Sequence, residues 1–290
     1  MSSMEAKWRI VAVTAVAPVA WGATYVVTRH LLPADAPLWG GALRALPAGL
    51  LLWALARRRP RGAWWGKALV LGALNFGGFF VLIYIAAQLL PSSVAASIMA
   101  LAPLALAGLA WPLLGQRPTV RWALGAVLGF VGVALVVGLG AAGISPAGVV
   151  ASGIALVSSS LGAILTTRWR DDTPLLATTA WQLTAGGLAL TAVAASVEGP
   201  PPSVDATGLI AYAGIAVVAT ALAFVCWFTG LRHLPAGTVG LIGLLNPVTG
   251  VLLGLAVGGE SLAVGQLVGI VAVLAAIAVS RPGRIRAATT

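Results

Sequence analysis

Ten apolar stretches, most near the roughly 20 residues a helix needs to cross a hydrocarbon core, follow one another with only short polar breaks between them. Read between charges, prolines and polar clusters, they cover residues 8–30, 37–56, 65–88, 92–114, 120–140, 146–168, 174–197, 207–231, 236–257 and 262–280. Inside a bilayer the backbone finds no water to bond, so stretches of this length fold as helices that satisfy their own amides and carbonyls. Ten spans in 290 residues leave about 29 residues for each helix with its connection, and no room for a soluble domain. The expected fold is therefore an all-α integral membrane protein of ten transmembrane helices.

Composition agrees: 60% of residues are hydrophobic and 8% charged, where soluble domains carry about a quarter charged. The net charge of +10 reports loops on the cytoplasmic side of a membrane and not a nucleic-acid partner. Cys226 is the only cysteine and sits in an apolar run, which excludes an internal disulfide and a cysteine metal cluster. No cofactor or metal is expected. Lys7 and Arg9 ahead of an apolar stretch, with AVAPVA following, look like the start of a signal peptide. The run continues past Trp21 to Thr28, longer than a usual signal core, so the segment is expected to stay as the first helix.

Placing the N-terminus inside puts Lys7, Arg9, Arg57, Arg58, Arg59, Arg61, Lys67, Arg117, Arg121, Arg168, Arg170, Arg232, Arg281, Arg284 and Arg286 at cytoplasmic helix ends. Arg29 alone falls at an outer end, and the segment EGPPPSVD, with Glu198 and Asp205, is outside without a basic residue. Both termini are thus expected in the cytoplasm, in the inner (plasma) membrane of a bacterium.

An internal repeat runs through the chain. LLPSSVAASIMALAPLALAGLAWPLLGQ aligns without gaps with HLPAGTVGLIGLLNPVTGVLLGLAVGGE, pairing Pro91 with Pro235, Pro103 with Pro247 and Gln116 with Glu260 at one offset (235 − 91 = 144). Gly125 matches Gly269 at the same spacing. Five helices per copy is an odd number, so the second copy must enter the membrane upside down. Loop charges agree: GQRPTVR is basic where its counterpart GGESLAV is acidic. The reading is two inverted five-helix repeats, 1–141 and 142–290, with a central cavity between them, an arrangement common among transporters.

WGATYVV in the first helix, Arg44 in the second, AAQLLPSSVAASIMALAP leading into the fourth and LPAGTVGLIGLLNPVTGVLLGLAVGGE in the ninth together resemble the EamA family of the drug/metabolite transporter superfamily. Within it the chain is similar to the YddG-type exporters of aromatic amino acids. The resemblance implies an alternating-access carrier moving aromatic and other large neutral amino acids, and related small metabolites, out of the cytoplasm. The sequence departs from the family pattern at Gln116, where a glutamate is usual, and in lacking a seventh-helix arginine to match Arg44. No Asp or Glu lies near the middle of any apolar stretch, and His30 and His233 sit at helix ends, so facilitated diffusion is favoured over proton antiport. The alternative is the same fold moving another neutral or cationic metabolite or drug, coupled to protons.

Arg44 lies about 10 Å below the outer surface, where a charge needs a partner, water or a ligand. It suits a carboxylate or phosphate, or it reaches outward as an anchor. Of the eleven tryptophans, Trp8, Trp39, Trp53, Trp64, Trp65, Trp122 and Trp169 fall near helix ends as expected interface anchors, while Trp21, Trp111, Trp181 and Trp227 lie deeper as candidate cavity residues. Asn75, Gln88, Gln182 and Asn246 add uncharged hydrogen-bonding groups in or near helices, and Tyr25 and Tyr84 add hydroxyls to the candidate set. Pro18, Pro47, Pro103, Pro112 and Pro247 interrupt helices and are candidate kinks or gates. Ser158, Ser159 and Ser160 have no histidine or acid at their depth to activate them, so the chain is not expected to be an enzyme. Its partners are the lipid bilayer and a small-molecule cargo; the residues leave monomer and homodimer equally open.

Overall fold

The computed structural model describes residues 3–115, 120–137, 144–233, 242–243, 245–259 and 261–279. Among the described residues every regular element is helical, and helices stand on all ten apolar stretches. They are α1 (Ser3–Leu31), α2 (Pro37–Ala56), α3 (Trp64–Leu89), α4 (Ser92–Met99 and Ala102–Leu114), α5 (Val120–Val137), α6 (Pro146–Arg168), α7 (Leu175–Val197), α8 (Ala206–Ala216 continuing to Ala223–His233), α9 (Leu245–Ala256) and α10 (Val264–Val279). Seven segments are long and apolar enough to cross a membrane, and shorter apolar helices lie within α5, α9 and α10. Their outward faces carry exposed apolar side chains such as Leu55, Val127, Phe130 and Ile210, as a lipid-facing surface requires. Gln116, Pro235, Glu260 and the boundary between 141 and 142 lie outside the described residues, as does the side chain of Pro103.

Packing follows the inverted repeat. The helix α1 packs on α8 and α9, and its counterpart α6 packs on α3 and α4; α2 packs on α7, α4 on α9 and α5 on α10. Moving every helix number by five returns the same set of pairs, which is what a twofold axis in the membrane plane demands.

Glycines bring the α2, α3 and α7 backbones together. A Cβ on Gly49 would meet the Thr184 amide nitrogen at 2.5 Å, and one on Gly72 would meet the Gln182 carbonyl at 2.6 Å and the Gly186 nitrogen at 2.9 Å. Lipid tails are as apolar as leucine, so such close backbone approach, more than hydrophobic burial, holds membrane helices together.

Both ends of the α2–α7 pair are tied across the halves. At the α1–α2 turn, the Glu198 carboxylate accepts from the Leu38 and Trp39 amides at 2.8 and 3.0 Å, and the Trp39 indole donates to the Gly199 carbonyl at 3.1 Å. Two open amides of an α2 N-terminus that begins at Pro37 are thereby satisfied by a charge of the favoured sign. At the α2–α3 loop, Trp64 donates to Asp171 at 2.6 Å and Trp181 to the Arg58 carbonyl at 2.9 Å. Trp39 and Trp64 are thus buried struts, whereas Trp8 and Trp65 are exposed as interface anchors should be.

Among the described residues, three spans depart from an uninterrupted α-helix. The helix α3 opens into a π turn at Ala73–Gly77, α8 does so at Val217–Leu222, and α4 breaks at Ala100 and Leu101. The π turns fall at the same place in the two repeats (217 − 73 = 144), so they belong to the repeated unit. Pro103 and Pro247 lie in the first turn of helical segments, where the missing N–H is harmless; Pro18, Pro47 and Pro112 are helix-internal.

Candidate functional site

The π turn of α8 sets the site. In an α-helix the Ala219 carbonyl would bond the Ala223 amide, but that amide goes to the Val218 and Thr220 carbonyls. The Thr220 hydroxyl supports the turn by donating to the Ile215 carbonyl at 2.9 Å. Ala219 and Thr220 therefore turn their oxygens toward neighbouring helices. Arg44, on α2, donates from Nε to Thr220 Oγ1 at 2.8 Å and from Nη2 to the Ala219 carbonyl at 3.2 Å. The Trp21 indole, on α1, donates to the same carbonyl at 3.0 Å. The guanidinium also stands 4.1 Å from the centre of the Phe80 ring, a cation–π contact. Arg44 is 7% exposed, and its partners among the described residues are a hydroxyl, a carbonyl and a ring, with no carboxylate.

Beside Arg44, toward the α1–α2 turn, is a small enclosed space walled by Thr28, Gly40, Phe80, Tyr84, Tyr212 and Ile215, with about 10 Å³ of room for the centre of a water-sized group. The Tyr84 hydroxyl donates to the Pro33 carbonyl and lies 3.5 Å from the Tyr212 hydroxyl. Gln88 donates to the Thr28 and Leu32 carbonyls at 2.9 and 3.0 Å. A Cβ on Gly40 would fall on the Tyr84 ring, so glycine is what lets the tyrosine lie flat against α2. With Glu198 on α2, these bonds lace shut the end of the bundle that carries the α1–α2 turn.

From Arg44 the seam between α1, α3 and α8 is lined with aromatic rings. Centroid distances are 5.6 Å for Phe76–Phe80, 4.8 Å for Phe76–Phe224, 5.1 Å for Trp21–Phe224, 5.2 Å for Trp21–Trp227 and 5.9 Å for Phe224–Phe228. Phe76 and Phe80 are fully enclosed, while Trp21, Phe224, Trp227 and Phe228 keep partial exposure. Tilted and edge-on rings at these separations can also stack on a flat cargo.

The π turn of α3 is buttressed by the counterpart helices with neutral groups. Asn75 donates to Gln182 Oε1 at 3.0 Å and to Thr166 Oγ1 at 3.2 Å, and Ser158 donates to the Leu74 carbonyl at 2.9 Å. The structure thus joins Arg44 and Tyr84 at one small space, Trp21 and Trp227 in the aromatic seam, and Asn75 with Gln182 at the other π turn. Tyr25 is buried on α1 within electrostatic reach of Arg44.

Trp181 packs on Trp64 near the α2–α3 loop, away from the seam. Trp111 is 54% exposed on the outer surface. The Asn246 backbone carbonyl lies against Gly22 of α1, and the buried Oδ1 of Asn246 has no partner among the described residues. Outside the spans, Asp171 is held below the ordinary carboxylate range by hydrogen bonds from the Thr173 hydroxyl and amide and from Trp64. Among the described residues no three His, Cys, Asp or Glu side chains gather as a metal site.

Residues missing from the sequence-derived set are Thr28, Phe76, Phe80, Tyr212, Thr220, Phe224 and Phe228. One signal was available for part of it: Phe80 and Phe224 stand at the repeat spacing (224 − 80 = 144). Nothing in the sequence announces a π turn.

The EamA-like transporter family model matches the chain twice, over residues 8–138 and 146–281. "Protein PecM" of Dickeya dadantii (strain 3937) is 39% identical over 263 residues, covering 90% of this chain and 88% of that protein. "Uncharacterized transporter YvbV" of Bacillus subtilis (strain 168) is 29% identical over 177 residues, covering 59% of this chain and 58% of that one. A crystal structure of a protein superposes with a TM-score of 0.67 over 94% of this chain and 98% of its own, at 19% identity, a likeness that shows the fold. Two family matches that between them cover nearly all of an all-helical, membrane-spanning chain make this protein a member of the EamA-like transporter family, a non-enzymatic membrane transporter.

Proposed function

We propose that the chain exports amino acids, aromatic and other large neutral ones, with related small metabolites, from the cytoplasm by facilitated diffusion. Its repeats, 1–141 and 142–290, rock about the seam to expose it to one side and then the other. The observation that carries the reading is the aromatic seam of α1, α3 and α8, which ends on a buried guanidinium with no carboxylate among its described partners. Rings offer stacking surface to a large flat side chain, and the absence of a buried acid among the described residues disfavours a cationic drug. Trp21, Arg44, Tyr84 and Trp227 are the cargo-contacting residues in this reading. The basic α2–α3 loop, with Arg57, Arg58, Arg59 and Arg61 exposed, supports cytoplasmic termini in the inner membrane, with the laced α1–α2 end outside.

The test is uptake of labelled phenylalanine, tryptophan and leucine into proteoliposomes, with and without a pH gradient. Saturable uptake that runs down the amino acid's own gradient and ignores the proton gradient is expected. Uptake indistinguishable from empty vesicles for every amino acid rejects the cargo, and uptake driven by a proton gradient rejects facilitated diffusion.

A further inference from the structure

The two π turns are equivalent in position and unequal in chemistry. Around the α3 turn the buttresses are Asn75, Gln182, Thr166 and Ser158, all neutral; around the α8 turn the α2 buttress is Arg44. Amides and hydroxyls therefore suffice to hold a π turn of this repeat, and a buried cation is not needed for it. A charge removed from water without a counter-charge weighs against stability, so a fold that could place an amide here keeps the guanidinium for something outside its own packing.

The geometry also leaves part of that guanidinium unspent. Nε and Nη2 are fixed by Thr220 and Ala219 and the flat face lies over Phe80, which locks the fork in one orientation. Among the described residues Nη1 donates to none. Arg44 itself borders the enclosed space, whose other walls bring the hydroxyl-bearing residues Thr28, Tyr84 and Tyr212. A fixed cation with an unspent N–H, beside the hydroxyl-bearing Thr28 and Tyr212, is a seat for an oxyanion, while the Tyr84 hydroxyl is already given to the Pro33 carbonyl; room for one water-sized group matches a single carboxylate oxygen.

We propose that Arg44 is the carboxylate-binding residue of the carrier, seating an anionic oxygen of the cargo in the space shared with Thr28, Tyr84 and Tyr212 while the rest of the cargo lies along the aromatic seam. This rests on the carrier reading above and deepens it: the cargo class becomes molecules with one carboxylate and an apolar or aromatic body. Phosphorylated cargo is disfavoured, since a doubly charged group would meet a single cation. Tyr84 and Tyr212 are the residues that must part for the whole carboxylate to enter, so the seat widens as the laced end opens.

The experiment compares three phenyl compounds on the purified full chain by the shift each gives in thermal melting: L-phenylalanine, 3-phenylpropionate, which lacks the amine, and phenethylamine, which lacks the carboxylate. In the wild type the two acids are expected to bind at least about tenfold more tightly than phenethylamine. Arg44→Gln should erase that difference by weakening the acids, and Arg44→Lys, which keeps the charge without the fork, should retain part of it. The wild-type comparison stands even where a variant folds poorly. Binding of 3-phenylpropionate that depends on Arg44, with no binding of any amino acid, supports the carboxylate seat while removing amino acids as its cargo. Equal binding of phenethylamine and phenylalanine by the wild type overturns the proposal, as do full discrimination in Arg44→Gln and the absence of any shift with either acid.

Discussion

Phe80 and Phe224 hold the same place in the two halves, and their rings meet 6.4 Å apart at an interplanar angle of 49°. Two copies of one position touch only on the axis that relates them, so this contact marks the centre of the inverted repeat. Arg44 leans on the Phe80 side of that axis, where α7 offers the neutral Gln182 to the opposite π turn. The seam therefore runs between one charged pole and one neutral pole.

The rings at the axis are structural. Phe76→Ala removes a side chain that is 0% exposed and touches Phe80 and Phe224, and is expected to destabilise the protein by about 3–5 kcal/mol. Phe130→Ala, on an exposed face of α5, should change the melting temperature in detergent little. Equal losses for the two would mean that Phe76 is not in the core.

Close backbone approach makes a second prediction. Gly72→Val forces α3 away from the Gln182 carbonyl and the Gly186 nitrogen and should cost about 1–3 kcal/mol. Gly66→Ala meets nothing within 4 Å and should be neutral or stabilise by about 0.5 kcal/mol. Thermal melts of both variants in one detergent check the pair.

Glu198 is predicted to act as a cap supplied from the other half of the chain. Glu198→Ala opens the Leu38 and Trp39 amides and is expected to lower stability by about 1 kcal/mol. Hydrogen exchange at those two amides should quicken while exchange in the middle of α2 stays slow. Unchanged protection at 38 and 39 would refute the cap.

Asp171 gives a pH dependence whose sign is fixed by its lowered pKa. A carboxyl that titrates lower when folded than when unfolded contributes stability above its ordinary value, and loses that contribution as pH falls through the folded value. The melting difference between wild type and Asp171→Asn should therefore hold from neutral pH down to about pH 4 and shrink below it. A difference that persists into strong acid would show that Asp171 does not act through its charge.

Hydropathy, loop charge and a repeat 144 residues long were enough to read ten helices and an inverted pair from the sequence. Each rests on physics that is local in the chain: a span must be apolar over a fixed length, and two copies of one helix hairpin keep their prolines and glycines in register. Arg44, Trp21, Tyr84 and Trp227 were legible for the same reason, being costly or bulky groups at membrane depth.

What only the tertiary structure decided is which way each side chain faces and where each helix departs from α geometry. Trp21 and Trp111 read alike in sequence, yet one bonds the Ala219 carbonyl in the seam and the other faces outward, because neighbouring helices, not local composition, choose the buried face. The membrane makes both faces of a helix apolar, which erases the amphipathic pattern that would have told them apart. The π turns were hidden for a related reason: their polar groups, Asn75 and Thr220, meet partners more than 90 residues away, and only the packed bundle supplies those partners.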